Sequence, residues 1–170
     1  CTSNMHQGWP KFTQNLFYAT PDKGIAALVY APSRVKAQIG DGAEVEIIEE
    51  TDYPFRDRII FTVHLSERQA TFPFHLRIPL WCKKPELSIN GQKHIPEVKN
   101  NIMIISRAWK NNDSVELRLP MNIGVSTWHE NSNAIERGPL VFALKIGGRW
   151  EKVNNTRDPE RYGKEFWEVR

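Results

Sequence analysis

The stretch Thr71-Phe72-Pro73-Phe74-His75-Leu76-Arg77-Ile78-Pro79-Leu80 decides the fold class of this chain. Every second residue from Phe72 to Leu80 is apolar, and the residues between them are polar or proline. Because successive side chains of a β-strand point to opposite faces, this alternation predicts a strand with one buried and one solvated face. Pro73 and Pro79 lack the N–H that a sheet ladder uses, so we expect them where the N–H side of that strand faces an edge or a bulge.

The same two-residue period recurs over most of the chain, from Gly24 to Ile146. Turn sequences separate the apolar segments, and Asn90-Gly91 is the strongest hairpin signal because both residues tolerate positive φ. About nine or ten short strands with such spacing predict a mainly β fold, an antiparallel β-sandwich or jelly-roll-like domain.

Residues 3–19 are the helix candidate. Met5, Trp9, Phe12 and Leu16 recur at spacings of three and four residues, which gives a helix one apolar face. Pro10 removes a backbone donor and clashes with the preceding turn, so the helix should kink there or begin near it. The tail from Arg149 to Arg170 is polar and charged, which favours an extended linker or the start of a further segment.

Composition narrows the function classes. The chain has 170 residues, a net charge of +3 and basic residues that alternate with acidic ones, which does not favour a nucleic-acid-binding protein. No apolar run approaches the roughly 18 residues of a membrane span. Two cysteines, Cys1 and Cys82, do not make a disulfide framework. Redox compartment and localisation, periplasmic or cytoplasmic, stay open.

The acidic cluster of Glu49, Glu50 and Asp52 could supply the pair of carboxylates that a glycosidase uses. However, neighbours in a strand point to opposite faces and cannot jointly flank one bond. We therefore expect a solvated strand end here. The histidines are scattered and nothing in their spacing predicts a metal cluster. They are His6, His64, His75, His94 and His129.

Trp81, Trp109 and Trp128 fall at predicted strand ends. Exposed rings there could stack on sugars, as in a carbohydrate-binding module, but we expect these rings to close the ends of the sandwich core. Cys1 is the single residue of most chemical interest. A thiolate just before a helix N-terminus feels the positive end of the helix dipole, which lowers its pKa and favours metal binding or nucleophilicity.

Four segments, in order along nearly the whole chain, resemble the β-L-arabinofuranosidase family of glycoside hydrolases, family 127, formerly a domain of unknown function. They are CTSNMHQGWPKF at 1–12; HLRIPLW at 75–81 with SING at 88–91; Trp109 with DSVELRLPM at 113–121; and IERGPLVFAL at 135–144. Cys1 matches the second of two adjacent cysteines in that family, which the resemblance implies is a zinc ligand rather than the nucleophile.

The resemblance implies an (α/α)6 barrel that carries the active site upstream of this chain, with zinc, a cysteine nucleophile, a glutamate acid/base and retention of configuration. Residues 1–20 would be the terminal helix of that missing barrel, 21–148 the β-sandwich and 149–170 the linker or further segment. The barrel would be the partner in cis, and a plant oligosaccharide the substrate of the parent. The chain alone would be inactive and would bind zinc weakly if at all. A stand-alone carbohydrate-binding module and a purely structural capping sandwich stay open as alternatives.

Overall fold

The structure, a computed structural model, describes residues 2–145, 147–154 and 165–169. It opens with a 3-10 helix at Thr2–Gln7, followed by the helix α1 at Gly8–Gln14. Pro10 thus lies in the first turn of α1, where the N–H groups have no intrahelical acceptor, so its missing donor costs nothing. The prediction that the helix begins near Pro10 is confirmed.

The predicted helix is too long at its other end. The Asn15 amide donates to the carbonyl of Lys11 at 2.5 Å, and the Asn15 backbone N–H donates to Phe12 at 3.0 Å, which closes the last turn. Residues 17–19 then form a strand instead of continuing the helix, because they pair with residues 25–27.

Strands make up most of the remaining structure. They are β1 (Phe17–Ala19), β2 (Ile25–Ala27), β3 (Ser33–Ile39), β4 (Ala43–Thr51), β5 (Arg58–Leu65), β6 (Gln69–Arg77), β7 (Glu86–Ile89), β8 (Gln92–His94), β9 (Val98–Lys99), β10 (Ile102–Lys110), β11 (Asp113–Arg118), β12 (Ile123–Thr127), β13 (Asn133–Arg137), β14 (Leu140–Phe142), β15 (Trp150–Asn154) and β16 (Glu165–Val169). A short 3-10 turn, His129–Asn131, separates β12 from β13.

Two sheets form the sandwich. The first sheet has the order β1-β2-β6-β10-β9 and the second β3-β4-β5-β11-β7-β8. All neighbours are antiparallel except β2 and β6, which run parallel. The predicted mainly β, antiparallel sandwich with one N-terminal helix is confirmed. No helix among the described residues is both long and apolar enough to cross a membrane.

Aromatic rings fill the space between the two sheets. Trp109 is fully buried, stacks on Phe72 with 5.6 Å between ring centroids, and donates its indole N–H to the Phe72 carbonyl at 2.9 Å. Phe74 meets Trp109 and Phe61 edge to face, at 6.3 and 5.1 Å. These rings pack on aliphatic residues from both sheets, so the alternation that predicted the strands also supplies the core.

The deciding stretch departs from its predicted strand at its C-terminal end. β6 ends at Arg77. The N–H of Ile78 still donates to the Asn101 carbonyl at 2.7 Å, in register with the β10 ladder, but Pro79 has no N–H with which to extend the pairing. Leu80 therefore lies outside the strand and is 73% exposed, not buried as the alternation predicted. Pro73 lies opposite Ser106 in the unbroken pairing of β6 with β10, so β6 has no bulge there. On the other side the β2 ladder starts only at Phe74, so Pro73 lies just beyond the end of that ladder, which is the predicted edge position.

The Asn90-Gly91 hairpin is confirmed. Both residues have positive φ, 51° and 77°, and β7 meets β8 directly at Ile89 and Gln92. In the tail, β15 and β16 pair antiparallel where the composition predicted an extended linker. The rest of that expectation, that the tail starts a further segment, stays a prediction, as do the domain boundaries at 20 and 148. Ile146 lies outside the described residues.

Candidate functional site

Glu49 is the unexpected residue of the acidic cluster. It points into the sandwich and is 2% exposed, whereas Glu50, its neighbour on β4, is exposed on the opposite face. The predicted opposite orientation is confirmed, but the predicted solvated strand end is wrong for Glu49. Alternation puts one of any two adjacent strand residues inside, and here the register with Ser33 on β3 and Phe61 on β5 selects Glu49.

Two donors serve the Glu49 carboxyl. The Ala31 backbone N–H lies 3.0 Å from one oxygen and the Ser33 hydroxyl 3.4 Å from the other. Burial raises the pKa of Glu49 to about 8, against the lowering effect of these two hydrogen bonds. Such a group could act as a buried acid, but a glycosidase needs two carboxyl groups about 5–10 Å apart across one bond. Glu50, on the other face, cannot supply the second.

The histidines do not converge. His75, on β6, lies 2.9 Å from the Asp22 carboxylate, and the Thr20 hydroxyl also hydrogen-bonds Asp22. That hydroxyl is the main cause of the lowered pKa of Asp22, with His75 contributing less. Across the described ranges there is no group of three or more His, Cys, Asp or Glu side chains that could hold a metal ion. Cys1 lies outside the described residues, and burial raises the pKa of the Cys82 thiol.

The tryptophans divide between core and surface. Trp109 is buried in the core and Trp81 is half-buried against it, as expected for rings that close the sandwich. Trp128 is 66% exposed, so that expectation is wrong for it. Its indole N–H donates to the Ser126 hydroxyl at 2.8 Å. Trp109 is the one tryptophan in the eleven strands of the two sandwich sheets, which therefore present no pair of tryptophan rings to a sugar.

A polar network surrounds the buried Asp113, and sequence reasoning missed it. Asp113 is 6% exposed and accepts hydrogen bonds from the Asn90 amide at 2.8 Å and the Lys110 backbone N–H at 3.0 Å. Arg107 lies 3.7 Å from the same carboxylate, with its guanidinium 5.3 Å from the Trp109 ring centroid. All its members are satisfied within the chain, so we assign the network to stability.

Apolar side chains also lie unburied, on one face of the sheet formed by β12, β13 and β14. Val125 is directly opposite Ile135, and Ile135 is opposite Phe142, so the three share a face, which Ile123 extends along β12. Their exposed fractions run from 51% for Ile135 and Phe142 to 74% for Ile123. We call Ile123, Val125, Ile135 and Phe142 the apolar face.

The N-terminal helical segment presents a second unburied apolar stripe. Met5, Trp9 and Phe12 follow one another at helical spacing and are 70%, 68% and 42% exposed. Trp9 and Phe12 touch edge to face with 6.4 Å between centroids, but none of the α1 residues is buried. The predicted apolar face is therefore present for these three residues, and no described residue buries it. Leu16, its fourth predicted member, lies outside α1 and is buried.

Comparison with known proteins gives a consistent picture. A family model described as the middle domain of GH127 β-L-arabinofuranosidase matches residues 24–121. A search of curated proteins found no match. Among solved structures, a GH127 β-L-arabinofuranosidase from Geobacillus stearothermophilus T6 superposes with a TM-score of 0.74 and 24% identity, over 96% of this chain and 28% of that one.

Two further structures are similar. One described as a glycoside hydrolase has a TM-score of 0.65 and 32% identity, over 71% of this chain and 21% of its own. A GH127 β-arabinofuranosidase has a TM-score of 0.63 and 19% identity, over 88% of this chain and 29% of its own. The chain therefore spans less than a third of the length of each of these three structures.

Proposed function

This chain belongs to the GH127 family of β-L-arabinofuranosidases, as its middle domain, and on that premise we propose that it is the scaffold of a larger glycoside hydrolase. The parent would be a retaining exo-glycosidase that releases β-L-arabinofuranose or a related sugar from plant glycans. Its nucleophile would be a cysteine and its metal zinc. The bond-breaking groups would lie on another part of the polypeptide.

The observation that supports this proposal is apolar surface that none of the described residues covers. The apolar face of β12–β14 and the stripe of Met5, Trp9 and Phe12 are both largely exposed, although the sandwich beside them is fully packed. Contiguous exposed apolar area of this kind marks an interaction surface. Because the chain covers only about 28% of a GH127 structure that it matches over 96% of its own length, the rest of that polypeptide is the proposed occupant.

The surface also continues across to the sandwich. Arg137, on β13, donates to the Phe55 carbonyl at 3.3 Å, and the Phe55 ring beside it is 69% exposed. Docking the rest of the enzyme here would bury both the β12–β14 sheet and the loop after β4. The structural capping role thus explains features that a stand-alone sugar-binding module does not.

Zinc enters the proposal only through Cys1, as one of its ligands in the parent enzyme. The described residues do not fit a complete zinc site, since none of their His, Cys, Asp and Glu side chains form a group of three or more. The other ligands would have to come from elsewhere in the parent.

Hydroxyl-radical footprinting tests the docking proposal. Met5, Trp9 and Phe142 should oxidise readily in the 170-residue chain and become several-fold less reactive in the intact parent enzyme, because docking covers them. Trp109, buried in the chain itself, should stay unreactive in both samples and serves as the internal reference. Equal oxidation of Met5, Trp9 and Phe142 in chain and parent would contradict docking through these surfaces.

A further inference from the structure

Glu49 belongs neither to the proposed docking surfaces nor to a catalytic pair. It is one of two buried acidic residues among the described positions, and the other is Asp113. Asp113 has Arg107 as a cation nearby. For Glu49, no lysine, arginine or histidine nitrogen in the described part of the chain lies within ion-pair distance. A fully buried, unpaired carboxylate costs several kcal/mol, so such a group takes up a proton instead.

The donors to Glu49 lie where the chain changes sheets. Residues 28–32, here called the crossover, lead from β2 in the first sheet to β3 in the second. Inside it, Leu28 donates its N–H to the Leu16 carbonyl at 3.0 Å, and the Tyr30 hydroxyl donates to the Arg77 carbonyl at 2.6 Å. The N–H of Ala31 has the Glu49 carboxyl as its acceptor.

We infer that Glu49 is a protonated latch: as a neutral acid it fastens the crossover between the two sheets, and loss of its proton to solvent loosens that connection. The neutral acid accepts the Ala31 N–H on one oxygen and bonds Ser33 through the other. Ionisation would strengthen these two hydrogen bonds, but it would also place a charge without a counter-ion in the sandwich interior, and the cost of burying that charge outweighs the gain. The device makes the sandwich sensitive to alkaline pH.

The other titratable groups around the crossover are Tyr30, Tyr53 and Arg77, and the contacts that shift the pKa values of the two tyrosines link these groups to one another rather than pairing Glu49 with a cation. Tyr30 is 3% exposed, with its ring 5.8 Å from that of Tyr53 and 6.2 Å from that of Phe61. Burial raises the pKa of both tyrosines, and the Glu49 charge raises that of Tyr30 further. The positive charge of Arg77, at the end of β6, lowers both without reversing that effect.

The sign of the pH effect follows from the two states of Glu49. Its pKa is about 8 in the folded chain and 4.5 when unperturbed, so between these values the folded chain holds a proton that the unfolded chain has lost. The free energy of unfolding then falls as pH rises through this window and levels off above it. Below about pH 4.5 Glu49 is protonated in both states, so its contribution to stability is fully present and no longer changes with pH.

Thermal unfolding of the chain from pH 5 to 9 tests the latch, with Glu49→Gln and Glu50→Gln compared with the wild type. Glu49→Gln keeps an acceptor for the Ala31 N–H and cannot ionise. Between pH 5 and pH 9 the melting temperature of the wild type should therefore fall by at least about 5 °C more than that of Glu49→Gln. Glu50→Gln, on the exposed face of the same strand, should follow the wild type. Parallel curves for wild type and Glu49→Gln would overturn the proposal.

Two measurements keep the test decisive if Glu49→Gln fails to fold. The carboxyl carbon of Glu49 in the wild-type chain, followed by NMR, should titrate with a midpoint near 8. A midpoint near 4.5 overturns the latch. Amide exchange at Ala31, corrected for intrinsic pH dependence, should speed up about tenfold from pH 6 to pH 9 while that of Leu28 changes little. An unchanged Ala31 rate would show that ionisation does not loosen the crossover.

Discussion

Replacement of Trp109 by alanine is expected to remove about 3–5 kcal/mol from the free energy of unfolding, the usual cost of deleting a large buried ring. The indole is fully buried, stacks on Phe72 and meets Phe74 edge to face. Its removal leaves a cavity between the sheets and a buried Phe72 carbonyl without its donor. Because domains are stable by only about 5–15 kcal/mol, most of the margin would be lost.

Urea denaturation of the chain measures this effect, with Trp128→Ala as the matched control. Trp128 is 66% exposed, so its loss should change the free energy of unfolding by about 0.5 kcal/mol or less. Similar losses for both variants would mean that Trp109 does not carry the core.

The second large effect is expected from Gly24→Ala. A Cβ at position 24 would lie 2.2 Å from the Pro73 carbonyl oxygen and 2.6 Å from the Pro73 ring. The first of these atoms is backbone of β6, which is held on both sides by β2 and β10, so it cannot move away cheaply. We expect a loss of about 3 kcal/mol or more in the free energy of unfolding.

Gly124→Ala is the control for this substitution. Gly124 is in β12, and a Cβ there meets no atom within 4 Å. Its replacement should change stability by no more than about 1 kcal/mol, with a small gain from reduced freedom of the unfolded chain. Gly24→Ala and Gly124→Ala can be compared by their melting temperatures in one buffer. A melting temperature for Gly24→Ala equal to that of the wild type would contradict the close approach of Gly24 to β6.

The two-residue period was sufficient to predict the sandwich because it reports the physical asymmetry of each strand. Asn90-Gly91 was predictable for a local reason, since both residues accept the positive φ that the hairpin needs. Whether a particular side chain is buried was harder to predict from the sequence. Leu80 follows the alternation and yet is exposed, because Pro79 ended the ladder before it.

Long-range register explains what could not be predicted. Glu49 and Glu50 are equivalent by local rules, and only pairing with β3 and β5 puts Glu49 inside. The Asp113 network joins Arg107 on β10, Asp113 on β11 and Asn90 in the hairpin after β7. No spacing rule would have predicted that Asn90 and Asp113, 23 residues apart, meet. The apolar face of β12–β14 has the pattern of a buried strand face, yet no described residue covers it, and the proposed occupant is the rest of the parent enzyme.

Catalytic activity of the 170-residue chain is the most direct measurement of the central claim, that these residues form a scaffold and the bond-breaking groups belong to another part of the parent. The purified chain, with zinc and a reducing thiol added, should show no turnover of an aryl β-L-arabinofuranoside above the uncatalysed rate. An intact GH127 β-L-arabinofuranosidase in the same assay is the positive control. Turnover by the chain comparable to that of the intact enzyme would contradict the claim.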